Sequence, residues 1–209
     1  MAPELFIMPL SRYVTGDYVT PAMASAWGRD EVATVVQPGR DLIHRSRGVP
    51  LGGETAAIDR RLAREQIEIV LREFTPGLRP EDLWREDSAE PPRFHLVHRS
   101  SEIAFRNEMR NALSATTPFR SLLRRLRPRP SHFLSCLVFL PVRLSKPIVL
   151  VLEAIGVGKP RNVLGGSLFA LRAELSASKP SERSTPARSA WLEATDEAIE
   201  LKLPLIRHE

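Results

Sequence analysis

The stretch Arg93-Phe-His-Leu-Val-His-Arg-Ser-Ser-Glu-Ile-Ala-Phe-Arg-Asn-Glu-Met-Arg-Asn-Ala-Leu-Ser-Ala115 changes structural period partway along. Pro91 and Pro92 precede it, and Phe94–His98 reads as a strand. Ser100 or Ser101 can then cap a helix reaching about Ala115. Phe105, Met109, Ala112 and Leu113 recur at helical spacing and form its apolar stripe, with Arg106, Asn107 and Arg110 pointing away.

Upstream, residues 4–20 read as extended, with a turn at Gly16-Asp17, and Thr20-Pro21 opens a short helix over 22–28. Val32–Val36 is a β-prone run, and 39–53 reads as a glycine-rich loop. A helix follows from Glu54 to Phe74, with Ile58, Leu62, Ile69 and Val70 facing inward and Ile67, Leu71 and Phe74 widening the stripe. Residues 79–92 form a proline-rich loop, a soft boundary within an otherwise single domain spanning 1–209. Glu81-Asp82 and Glu86-Asp87 within it read as solvated charge.

Downstream, Thr117-Pro118 opens a helix that Pro128 ends, followed by extended segments at 133–142 and 147–152. A helix runs from Ser167 to Ser176 on Leu168, Leu171 and Leu175. Residues 176–186 lack an apolar anchor and read as a mobile loop. A last helix spans 186–201, and 203–206 is again extended. Strands and helices alternate without a regular βαβ cadence. The expected class is α+β: one compact domain with a mixed or antiparallel sheet and four to five helices.

Charge is concentrated. Residues 93–129 hold nine arginines against Glu102 and Glu108, giving that segment +7 in a chain of +5 and leaving −2 elsewhere. In the helix 118–127, Arg120, Arg124 and Arg127 line one face, joined by Arg125, with no acid at i±4. Such a local field points to an anionic partner. The 26 arginines against four lysines carry less weight, because a GC-rich genome produces the same bias.

Recognisable chemistry is sparse. Ile148–Leu152 followed by Gly156-Val-Gly-Lys159 invites comparison with a phosphate-binding loop, but Glu153 replaces its first glycine and Pro160 its hydroxyl residue. His95 and His98, three apart on a strand, face opposite sides and cannot share a metal. His44, His132 and His208 stand alone, and there is no G-x-S-x-G elbow. Neither a metal nor a cofactor is expected. Cys136, in the apolar run Phe133–Phe139, reads as a buried, inert thiol on a strand without a cationic neighbour.

The apolar region 133–158 is interrupted by Arg143, Lys146 and Glu153, whereas a spanning helix needs about 20 uninterrupted apolar residues. With the short, proline-broken run at 5–10, this predicts a soluble cytoplasmic protein without a transmembrane segment. The functional expectation leans away from an enzyme, towards a protein-binding protein of bacterial immunity type that meets an acidic surface, such as that of a cognate toxin. Arg106, Arg110, Arg120, Arg124, Arg125 and Arg127 are its candidate contacts. A basic neutraliser would not complement a basic nuclease site, which disfavours nuclease inhibition. The alternative is a nucleic-acid-binding protein using 93–129, although no helix-turn-helix glycine turn, RNP-type aromatic motif or zinc finger is present.

Overall fold

The computed structural model describes residues 4–29, 33–36, 42–45, 61, 64–65, 68–69, 71–72, 84, 86, 88–115, 131–152 and 161–208. Its strands are β1 (Glu4–Ile7), β2 (Ala33–Val36), β3 (Leu42–Arg45), β4 (Arg93–Leu96), β5 (Val138–Leu140), β6 (Ile148–Leu152), β7 (Arg161–Ser167) and β8 (Leu205–His208). The helices are α1 (Leu10–Thr15), α2 (Pro21–Gly28), α3 (Arg99–Ala115), α4 (His132–Ser135), α5 (Leu168–Ala177) and α6 (Thr185–Leu201).

Six strands form one sheet in the order β4-β1-β8-β5-β7-β6, and β2 and β3 form an antiparallel pair. The large sheet is mixed: β5 runs parallel to β7 and antiparallel to β8. The class is therefore α+β, with slightly more helices than expected. By compactness the chain divides into one unit of 1–6, 95–148 and 164–209 and a second of 7–94 and 149–163.

In the first unit α5 packs on α6, α6 on α3, and α4 on α5. Aromatic rings join these elements. Phe133 of α4 lies 5.0 Å from Phe105 of α3 and 5.1 Å from Trp191 of α6, which meets Phe139 of β5 at 5.8 Å. The two tryptophan contacts are edge-on, an arrangement favoured by the ring quadrupoles. Leu168, Leu171 and Leu175 are fully buried, as their spacing predicts.

Two local expectations fail in this unit. Extended structure over 133–142 is replaced at its start by α4, whose N-cap is Ser131, and β5 begins only at Val138. Cys136 is therefore at a helix C-cap, not on a strand, though buried as expected. On α3, Phe105 is buried, but Ala112 and Leu113 are exposed.

The segment expected to lack an apolar anchor makes polar contacts. Residues 176–177 belong to α5 and 185–186 to α6. Between them, Ser181 and Ser184 donate hydroxyl hydrogen bonds of 2.6 and 2.5 Å to the Glu108 carboxylate, and the Ser181 amide adds a third at 3.3 Å. Burial pushes the Glu108 pKa up, but these bonds outweigh it, and the net shift is downward. The Arg188 guanidinium donates to the Leu175 carbonyl and to Ser178.

In the second unit α2 opens as predicted: the Thr20 hydroxyl accepts from the Met23 amide at 3.2 Å, with Pro21 in the first turn. Residues 10–15, expected to be extended, are instead α1. Gly16 closes this helix at φ 70°, a left-handed conformation that glycine adopts without a Cβ clash. Glu86, read as solvated, is buried, and its carboxylate accepts from the amides of Leu10 at 3.0 Å and Ser11 at 2.8 Å and from the Trp84 indole. Those first-turn donors have no intrahelical acceptor, so a carboxylate from residue 86 satisfies them. Ile69, expected inward, is 66% exposed, whereas Leu71 is buried.

Candidate functional site

Two features of the first unit present chemistry to a ligand or partner. The first is the outward face of α3. Arg99, Ile103, Arg106 and Arg110 fall at i, i+4, i+7 and i+11 and share one stripe. Ser101, Glu102 and Phe105 occupy the buried side. Ile103 is 51% exposed, an apolar side chain on a stripe otherwise made of arginines. Arg106 is half-buried, with one guanidinium nitrogen 4.0 Å from the Glu102 carboxylate one turn earlier. Of the arginines read as candidate contacts, Arg106 and Arg110 are thus brought together on α3. Arg120, Arg124, Arg125 and Arg127 lie outside the described residues.

The second feature, absent from the sequence reading, is a cavity of about 550 Å³ beside the start of α4. Met109, Ala112 and Leu113 of α3 line it, facing Ala170, Ala173 and Ala177 of α5. Its polar groups are organised by Glu174. One carboxylate oxygen accepts from the His132 amide at 2.8 Å. The other accepts from the Ser131 hydroxyl at 2.7 Å and the Phe133 amide at 3.1 Å. Glu174 thereby does at α4 what Glu86 does at α1, satisfying first-turn donors from a distant point in the chain.

His132 is buried, and its Nδ1 accepts from the Ser167 amide at 3.0 Å. A nitrogen that accepts carries no proton, so the ring is neutral with its hydrogen on Nε2. Burial pushes the His132 pKa down, against the opposing pull of the Glu174 charge. Close packing holds this arrangement. A Cβ on Gly166 would lie 2.9 Å from Cys136 Sγ and 3.0 Å from His132 Nδ1, so only glycine fits there.

These neighbours do not form a nucleophile–base pair. The Ser131 hydroxyl gives its hydrogen to Glu174 and not to His132. Burial, then the Glu174 charge, pushes the Cys136 thiol up to about 12, overcoming the downward pull of Arg207. Arg207 corrects the expectation of no cationic neighbour, but the thiol remains protonated. His95 contacts Glu197 at 2.6 Å and His98 contacts Ser100 at 3.0 Å, each an ordinary side-chain pairing. Among the described residues no three His, Cys, Asp or Glu side chains cluster at metal-binding distance. None of the described helices is long and apolar enough to cross a membrane.

Only one local signal foreshadowed the second feature: Pro130-Ser131 before His132, a plausible helix start. Glu174 and Ser167 meet His132 only through the fold. In comparisons with family models, with curated proteins and with solved structures, nothing matches the chain.

Proposed function

We propose that the chain is a non-catalytic protein-binding protein that takes an acidic protein partner through the outward face of α3, in the manner of a neutraliser of a toxin. The observation that carries this reading is the stripe of Arg99, Ile103, Arg106 and Arg110, in which an exposed apolar side chain shares a face with guanidinium groups. Arginine is enriched at protein interfaces, where its planar fork meets carboxylates and its stem adds contact area. Complementary charge would speed encounter and select the partner, while Ile103 supplies desolvated contact. Duplex nucleic acid would use the cations but has little use for the isoleucine.

A photo-crosslinking amino acid at position 103, with one at exposed Glu193 on α6 as control, tests the proposal in cells that express the intact chain. The expected result is a discrete, nuclease-resistant protein adduct from position 103 alone, lost in R99E/R110E. A nuclease-sensitive adduct would favour the nucleic-acid alternative. No adduct, or one indifferent to charge reversal, would refute the α3 face as a binding surface.

A further inference from the structure

The cavity between α3 and α5 plays no part in the α3 outward face and stands as an independent feature. Its alanines Ala170, Ala173 and Ala177 follow the spacing of one face of α5, where larger side chains would have filled the space. Its volume of about 550 Å³ lies within the range of roughly 300–1,000 Å³ typical of small-molecule sites. Short side chains alone would mark only loose packing. The independent observation is His132, which is 5% exposed and lines the same cavity.

With Nδ1 committed to the Ser167 amide, the one polar atom the His132 side chain has left to offer is Nε2–H. Among the described residues nothing accepts from it. Nε2 is not one of the sealed, unpartnered polar atoms of the described residues, so it opens to solvent in the cavity, and a ligand oxygen would take the place of water on it. Of the other polar groups described in the wall, Ser131 and Glu174 bond to each other and to the α4 amides, the Ser178 hydroxyl donates to the Leu175 carbonyl, and Ser145 is exposed to solvent.

Charge narrows the ligand class. The Glu174 carboxylate in the wall repels an anion, and the Nε2–H dipole disfavours an ammonium group. We infer that this cavity binds a small, neutral, largely apolar molecule bearing one carbonyl-type oxygen, which accepts a hydrogen bond from His132 Nε2 while its apolar body packs between α3 and α5.

Prodan, a neutral naphthyl ketone whose emission shifts to the blue on leaving water, is a suitable probe. Titrated into the intact protein, it should bind one saturable site with blue-shifted emission. 2-Decanone should displace it, and decanoate should not. Ala173→Trp and, from the opposite wall, Ala112→Trp fill the cavity from exposed helix positions, so folding should survive, and each should abolish the signal. His132→Asn places an acceptor near the Ser167 amide but removes Nε2–H, and should weaken binding about five- to tenfold, the worth of one neutral hydrogen bond. Absence of a saturable signal, or binding that survives both tryptophan variants in folded protein, would overturn the site. Unaltered affinity in folded His132→Asn, or equal displacement by decanoate, would overturn the ligand class.

Discussion

Glu174 is the residue whose loss should be most costly at the start of α4. It serves two backbone amides and one hydroxyl with a single carboxylate. Glu174→Ala removes the acceptor for all three, and α4, only four residues long, has few other bonds to hold it. The Ser131 hydroxyl can turn elsewhere, so its loss counts little. The amides of His132 and Phe133 cannot. A buried donor left unsatisfied costs about 1–3 kcal/mol, and taking the lower half of that range for these partly buried groups gives about 3 kcal/mol in total. For a chain of this length that corresponds to roughly 6–12 °C in Tm. Glu174→Gln keeps one acceptor oxygen but turns an NH2 towards a donor, so about half the loss is expected. Ser131→Ala should cost less in the Glu174→Ala background than alone, because the two groups share a bond. Urea denaturation of the parent and the four variants, followed by tryptophan fluorescence and circular dichroism, measures these differences. A Glu174→Ala protein within about 0.5 kcal/mol of the parent would refute the capping argument, the range expected of a surface substitution with no specific role.

Cys136 should resist an aromatic disulfide reagent at pH 8 in the native protein and react at once in urea, since burial and Glu174 hold its thiol up to about 12. Rapid native labelling would contradict that environment. Stability should also fall as pH is lowered from 7.5 to 5.5. Burial depresses His132 and His208 below the ordinary 6.5, so the unfolded chain takes up protons first. Their contribution is complete above about 6.5 and declines as pH drops towards the folded values. The charged group facing His132 is Glu174, whose attraction for a proton only partly offsets burial. Urea midpoints at the two pH values provide the measurement, and His132→Asn should reduce the difference. A midpoint that rises on acidification would reverse the argument.

Much of the α+β character is written locally. The leucine spacing of α5, the Thr20-Pro21 start of α2 and the strand-to-helix change at 93–115 each draw on residues a few positions apart, the range over which helical and strand periods operate. What the sequence could not state was the polar architecture. α1 and α4 lie where extended structure was expected because their first-turn amides are capped by Glu86 and Glu174, about 76 and 42 residues away. A helix of four to six residues is marginal by local propensity, so a distant carboxylate decides it. The same reason hides the cavity. Its histidine was a lone residue until β7 delivered the Ser167 amide to Nδ1 and α5 delivered Glu174 to its backbone. Arg99, Ile103, Arg106 and Arg110 could be aligned from helical spacing alone. That the isoleucine faces solvent was decided by the opposite side of α3, where Phe105 meets Phe133 in the core.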